Sequence, residues 1–511
     1  MRETISRLSG TFQNAPVNEQ TFTQFLFHNR RNRVILYLAA AAITIQFVLF
    51  KYLYPFASFI YGDSFAYLET AELNLTINKY LIGYSKFLRL VSVFAKPDLI
   101  LVSVQYQMIQ CSTLFFLFTL FYFYRAGKVT QALLFCFMVF NPLFLHLGNM
   151  ISSDGLFLAL STTWFALLLW IIYKPSNTII FWHAIVLCAA FTVRYNALIY
   201  PFISALAFGL SKLPLRRKIT GMGLALALCS CFVTLTIFQY KKLTGYWQYS
   251  PFSGWQLANN AMNIYREVDS ADREPVPSKF RILDNMVRKY YDTDHVPLEA
   301  ASTVFMWEPK LPLMRYNNML FKTKDTSEPT FKVWAGMGPF YSSYGLYIIK
   351  KYPMHFLRYF VWPNSLNYLA PPVEYLGYYN SGYITVPESA VKWFGYTNNQ
   401  VKTRMKSGRV WALQYYPLFI SITNLIMLLG LLAYILMKGW QYNPSFNKSI
   451  LLAGSAWILN AGFTIFAAYV ALRFQAFPAL LSAAFSLLLI DWMARLIQHL
   501  KRQTQQQSLA I

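Results

Sequence analysis

Acidic residues are scarce in this chain: 21 Asp and Glu stand against 45 Lys and Arg, and charged residues make up 13% of the 511 positions. With 56% hydrophobic residues and a mean hydropathy of +0.35, this excludes an ordinary soluble protein, in which the apolar share including Gly is roughly 45–50%. Cysteine is also sparse. The five cysteines (Cys111, Cys136, Cys188, Cys229 and Cys231) all fall inside apolar blocks, with no CxxC pair and no zinc-like spacing, which excludes a disulfide framework and reads as small buried residues. No internal repeat or low-complexity tract is present. The first 33 residues have no short apolar core with a small-residue cleavage site, so the first span is expected to be retained.

What is abundant comes in blocks. Apolar runs of about 20 residues, the length a helix needs to cross about 30 Å of hydrocarbon, occur near 34–56, 99–124, 129–149, 155–173, 179–193, 197–211, 219–240, 411–437, 449–470 and 476–494. The expected fold is an all-α polytopic membrane protein of about ten transmembrane helices, two of them (179–193 and 197–211) short enough to be a re-entrant or tilted pair. Its parts are a cytoplasmic segment 1–33, a transmembrane module 34–240 with a first loop 57–98, a polar block 241–409, C-terminal helices 410–495 and a cytoplasmic tail 496–511.

Charge sets the orientation. With the N-terminus inside, the inside loops collect Arg30, Arg31 and Arg33, Arg125 and Lys128, Lys174, Lys212 with Arg216, Arg217 and Lys218, Lys438 and Lys448, and Arg495, Lys501 and Arg502. Only Glu3, Glu19 and Asp491 oppose them, as the positive-inside bias requires. The net charge of +24 is thereby a property of cytoplasmic loops and implies no nucleic acid. The 241–409 block is then an extracytoplasmic domain of mixed structure, and within it "YGLYIIKKYPMHFLRYFVW" (344–362), interrupted by Pro353, reads as a helix lying on the membrane surface.

Ionisable groups at the ends of spans are costly and so mark candidate sites. In "YGDSFAYLETAELN", Asp63 precedes a helix on which Glu69 and Glu72 share a face; the alternative for Asp63 is an N-cap. In "GNMISSDGLF", Asp154 opens a span and is also a capping type. Arg194 and Asn196 in "TVRYNALIYP" and Arg473 in "YVALRFQAFPALL" lie at the same level; each guanidinium suits a lipid phosphate, with snorkelling to ordinary headgroups as the alternative. A carboxylate that accepts a proton from a hydroxyl, with arginines that stabilise a departing phosphate, is an arrangement for moving a sugar from a lipid-linked phosphate. The amide-rich "FSGWQLANNAMNIYREV", with Trp255, Gln256, Asn259, Asn260 and Asn263, suits either sugar recognition or a capped surface helix, and "YYDTDHVP" suits a calcium site or a turn.

"GDSFAYLETA" followed by "YLIGYSKFLRL", with Gly83 and Tyr84, and then "SSDGLFLAL", "VRYNALIYP" and "LRFQAFP" resemble the lipid-dependent membrane glycosyltransferases of the GT-C superfamily, including the protein O-mannosyltransferase and aminoarabinose transferase relatives. The resemblance covers about 34–265 and the Arg473 turn. It implies Asp63 as general base, a polyprenyl-phosphate sugar as donor, inversion at the anomeric carbon, and Arg194 and Arg473 on the donor phosphate, with Glu69, Tyr84, Asp154, Asn196, Trp255, Gln256, Asn259 and Asn260 as substrate-binding candidates. Two departures stand out: a single first-loop Asp instead of an adjacent acidic pair, and no visible metal-binding His/Glu set, His146 and His295 being the candidates, so a divalent metal stays open. The acceptor, whether glycan, lipid or protein, is not specified. A bacterial inner membrane with a periplasmic active site is the expected location. The competing readings are a transporter, which calls for midplane charges and repeated halves, and a polymerase or ligase of lipid-linked glycans.

Overall fold

A computed structural model describes residues 20–293, 303–323 and 330–508. In chain order the elements used below are α1 (Arg30–Leu53), the first-loop helices α2 (Asp63–Glu72) and α3 (Gly83–Phe94), α4 (Asp98–Phe123), α5 (Lys128–Asn149), α6 (Ser153–Tyr173), α7 (Asn177–Val193), α8 (Tyr200–Leu210) and α9 (Leu215–Thr244). They continue with α10 (Pro251–Tyr265), α11 (Arg281–Thr293), α12 (Gly338–Lys351), α13 (Trp411–Leu436), α14 (Pro444–Ala467) and α15 (Leu472–Arg502).

Among the described residues, eight helices are long and apolar enough to cross a membrane: α1, α4, α5, α6, α9, α13, α14 and α15. The architecture is that of an all-α membrane protein. The two short apolar segments form α7 and α8, of 17 and 11 residues; at about 1.5 Å per residue neither reaches about 30 Å.

Helix α6 is the centre of the bundle. It is apolar all round, as a helix enclosed by others must be, and packs against α4 and α7. Its few polar atoms are satisfied locally: Trp164 stacks on Tyr200 at 3.9 Å and donates to Ser204 Oγ, and Trp170 donates to Thr119 Oγ1. By contrast, α1 and α9 leave Leu49, Tyr52, Leu235 and Phe238 exposed, the apolar outer surface that lipid would cover.

The 241–409 block departs from the mixed structure expected of it. Among the described residues it has no strand, only the isolated bridges Tyr378–Arg409 and Thr385–Gln400; its helices as far as Phe360 gather round a second apolar core that includes Trp255, Tyr265, Tyr341 and Tyr344, while Tyr368, Ala390 and Phe394 join the main core. Helices α10 and α12 cross there at glycines: a Cβ on Gly254 would lie 2.0 Å from the Gly338 carbonyl oxygen. Pro353 interrupts the next segment as expected, with α12 ending at Lys351 and helical structure resuming at Pro353 and running to Leu369. That run leaves Met354, Leu357, Trp362 and Leu366 exposed.

Candidate active site

The first loop and the α5–α6 turn are stitched together. Ser58 N–H donates to the Asn149 carbonyl and Ile151 N–H to the Ser58 carbonyl, both at 2.9 Å; Ala57 N–H is held by Asp98 Oδ2 at 2.6 Å. Ser64 on α2 donates to the Ile151 carbonyl at 2.6 Å and Tyr67 to Ser153 Oγ at 3.1 Å. These bonds bring the start of α2 against the start of α6, and so Asp63 close to Asp154. From the other side, Asn380 and Ser381, both with positive φ, grip the loop: Phe59 N–H donates to Asn380 Oδ1 at 3.1 Å and Ser381 Oγ donates to the Phe59 carbonyl at 2.8 Å.

Asp63 does not cap its helix, contrary to the N-cap alternative. Gly62 occupies the cap position with φ +95°, and Asp63 is the first helical residue. Its oxygens point elsewhere: Tyr80 donates to Oδ1 at 2.7 Å and Arg473 Nη1 to Oδ2 at 2.9 Å. Gly62 is what permits this direction, because a side chain at that φ is strained even where there is room. Nothing lies within 4 Å of an added Cβ, so Gly62→Ala is expected to cost about 1–3 kcal/mol through backbone strain alone, to be read from thermal unfolding; an unchanged midpoint would show that the loop relaxes freely.

Asp154 is the hub of the charge cluster. Ser152 caps α6 and donates to Asp154 Oδ2 at 2.9 Å, so capping falls to the serine. The buried Asp154 carboxylate pairs with Arg194 through Oδ1 and with Arg473 Nη1 through Oδ2 at 3.5 Å. Arg473 sits in the 3₁₀ turn that opens α15, fixed by Leu472 N–H on the Pro372 carbonyl at 2.9 Å. Both arginines also approach the Phe474 ring, with guanidinium carbons 4.3 Å (Arg473) and 4.5 Å (Arg194) from its centroid. Arg473 Nε is buried and finds no acceptor among the described residues.

Except for the buried Asp154, which is not among the lining residues, this cluster forms one wall of a cavity of about 1560 Å³, lined by Asp63, Arg194, Asn196, Arg473 and Gln256 together with Tyr80, Glu374 and Tyr375. Pockets for a single small molecule span roughly 300–1000 Å³, so there is room for two reactants. Of the other candidates, Tyr84 is fully buried and donates to Gln105 Oε1 at 2.7 Å, and Glu69 is exposed outside the lining. The amide helix α10 is not a surface helix. Trp255, Asn259 and Asn260 are buried in it: Trp255 Nε1 donates to the Trp334 carbonyl, Asn260 Nδ2 to the Ala467 carbonyl, and Asn260 Oδ1 accepts from Gln256. Only Gln256 of that group reaches the cavity. Gln256 and Asn260 satisfy each other and the backbone, as burial demands, and Asn263 Nδ2 donates to the Asn259 carbonyl, while Asn263 Oδ1 is buried with no donor among the described residues.

Three contributors were not apparent in the sequence. Tyr80 opens the "YLIGYSKFLRL" stretch, in which Gly83 and Tyr84 were singled out instead; its phenol is pushed well above its ordinary value by burial and by the Asp63 carboxylate beside it, which keeps it a proton donor to Asp63. Glu374 follows the "APPV" stretch in the left-handed region, φ +47°; burial holds its carboxyl above the usual range, with Arg473 opposing and Asp63 adding to the shift. Its signal was a lone acid in an aromatic, proline-rich stretch. Phe474 had no signal beyond its adjacency to Arg473.

His146 packs edge-on against Phe50 and Tyr54, and His295, with the rest of "YYDTDHVP" after Thr293, lies outside the described residues. Among the described residues no three His, Cys, Asp or Glu side chains converge on a metal-sized position. Around Asp63 the carboxylates face a guanidinium, an arrangement that does not fit a resident metal. No protein-family model, curated protein or solved structure matches this chain.

Proposed function

We propose that the protein is a membrane glycosyltransferase that moves a sugar from a polyprenyl-phosphate donor to an acceptor hydroxyl, in the manner of the GT-C enzymes it resembles. The observation that carries this reading is the convergence of Asp63, Asp154, Arg194 and Arg473, drawn from four separate stretches of sequence, into one ion-paired cluster, three of whose members, Asp63, Arg194 and Arg473, line one large cavity. All four stand at helix ends, where a lipid headgroup would meet the protein, instead of at the mid-bilayer position a transport site favours.

In this reading the donor phosphate binds at Arg473 and Arg194, whose forked donors suit its oxygens. Arg473 Nη1 is shared between Asp63 and Asp154; a phosphate competes for it, and Asp63 is released toward the acceptor. The acceptor hydroxyl gives its proton to Asp63, its oxygen bonds to the anomeric carbon from the face opposite the phosphate, and the carbon–oxygen bond to phosphate breaks with its electron pair leaving on the phosphate. The configuration inverts. Tyr80 orients the base by holding its other oxygen, and the arginines stabilise the charge that grows on the leaving group. The short helices α7 and α8 complete a bundle of about ten membrane segments, with both termini cytoplasmic and the cavity on the periplasmic side of a bacterial inner membrane.

The phosphate assignment is tested by the affinity of the purified protein for a polyprenyl phosphate. Arg473→Ala is expected to weaken it by about 10–100-fold, since hydrogen bonds to charged groups are worth roughly 1.5–3 kcal/mol. Unchanged affinity would leave Arg473 as a structural partner of the two aspartates.

A further inference from the structure

The cavity has a third cation, Lys79, which the cluster of Arg194 and Arg473 does not use. Lys79 lines it beside Tyr80, and its Nζ lies 5.5 Å from the Trp307 ring centroid and 5.9 Å from that of Trp334. Among the described residues it makes no ion pair; Glu69 is the carboxylate whose field reaches it, while burial pulls the ammonium below its ordinary value. This is no loose surface lysine. Its backbone N–H donates to Asn78 Oδ1 at 2.7 Å, and the Asn78 carbonyl is held by Tyr240 at 2.8 Å.

From the Asp63 wall to Lys79 the rings form a continuous run. Tyr80, bonded to Asp63, lies 5.7 Å from Phe252, and Phe252 lies 6.2 Å from Trp307. Trp307 stacks on Trp334 at 6.2 Å and 8°, and Trp334 on Trp255 at 5.5 Å and 9°. The inner two rings are buried, which leaves Trp307 as the ring that faces the cavity. Thr303, which precedes the short helix Val304–Trp307, lines the same cavity and adds a hydroxyl. An aromatic face, hydroxyls and amides are the chemistry that receives a sugar ring. A half-buried ammonium with no carboxylate paired to it among the described residues is the chemistry that receives an acid.

We propose that Lys79 and Trp307 form a second subsite of the cavity, which binds a sugar carrying an acidic group, a phosphate or a carboxylate. It rests on the transfer reading only in naming that sugar as the acceptor. The subsite supplies what the Asp63 wall lacks: a platform that presents a hydroxyl to the base while its charge is held away from the donor phosphate.

The test is calorimetric titration of the full chain in nanodiscs, without donor, using one disaccharide in three forms: neutral, uronic acid and phosphorylated. At least one acidic form is expected to bind about tenfold tighter than the neutral form, and the tighter of the two acids identifies the group. Lys79→Gln is expected to bring the acidic forms within about threefold of the neutral one, while Lys79→Arg keeps the preference. Trp307→Leu is expected to weaken all three forms about equally, which keeps the proposal testable if Lys79→Gln does not fold. Equal binding of the three forms by the native protein, or a preference that survives Lys79→Gln, would overturn it. Because no donor is present, failure here is distinct from failure of the transfer reading.

Discussion

Asp63→Asn is expected to lower sugar transfer by about 10²–10⁴-fold, the usual contribution of a positioned general base, while the protein remains folded. Asparagine keeps the shape of the side chain, and its carbonyl oxygen can still accept from Tyr80 or Arg473, the two partners Asp63 has; what it loses is the ability to take a proton. The side chain is 23% exposed, so its neutralisation does not strand a deeply buried charge, and Arg473 keeps Asp154 as a counter-ion. The signature is therefore a collapse of turnover with a thermal midpoint close to that of the native protein. Full activity in this variant would remove Asp63 from the chemistry.

Asp154→Ala is expected to do the reverse: its first effect falls on stability. The Asp154 carboxylate is 1% exposed and neutralises two guanidinium groups that are 16% and 11% exposed. Removing one partner from a buried ion pair typically costs about 3–5 kcal/mol, because the remaining charge is left uncompensated. Here Arg194 loses its only carboxylate partner among the described residues, and Arg473 is left with Asp63. The double variant Asp154→Ala with Arg194→Ala should lose less than the sum of the two single variants, since the second change removes the charge stranded by the first. Denaturant or thermal unfolding in detergent reads both effects. A single variant as stable as the native chain would show that water or lipid reaches these arginines freely.

The contrast between these variants bears on what a sequence can convey. The spans were legible because bilayer thickness imposes a length, and eight of the blocks are helices of that length; α7 and α8 were visible as short blocks for the same reason. Asp63, Asp154, Arg194 and Arg473 stood out because charge at a span end is costly, and that cost is a local property of the sequence. Their pairing was not legible. Whether Asp63 caps α2 or faces Arg473 is decided by Gly62 at φ +95° and by the Ser58–Asn149 and Ser58–Ile151 bonds, contacts between distant segments that leave no periodic trace. The amides of α10 misled for a related reason. Asn259 and Asn260 look like surface or sugar-binding residues until the helix is seen inside a second core, where Gln256, Asn260 and the Ala467 carbonyl satisfy one another. Tyr80 and Glu374 reached the site through tertiary packing, and Phe474 came with its neighbour Arg473.

The most direct measurement of the central claim is a turnover assay: the purified protein in lipid nanodiscs, a panel of polyprenyl-phosphate sugars with a mixture of acceptor glycans, lipids and peptides, and chromatographic detection of the free lipid phosphate. The account predicts release of the lipid phosphate from at least one donor, dependent on an acceptor and lost in Asp63→Asn. Donors that remain intact throughout the panel, or release that is equally fast in Asp63→Asn, would contradict it.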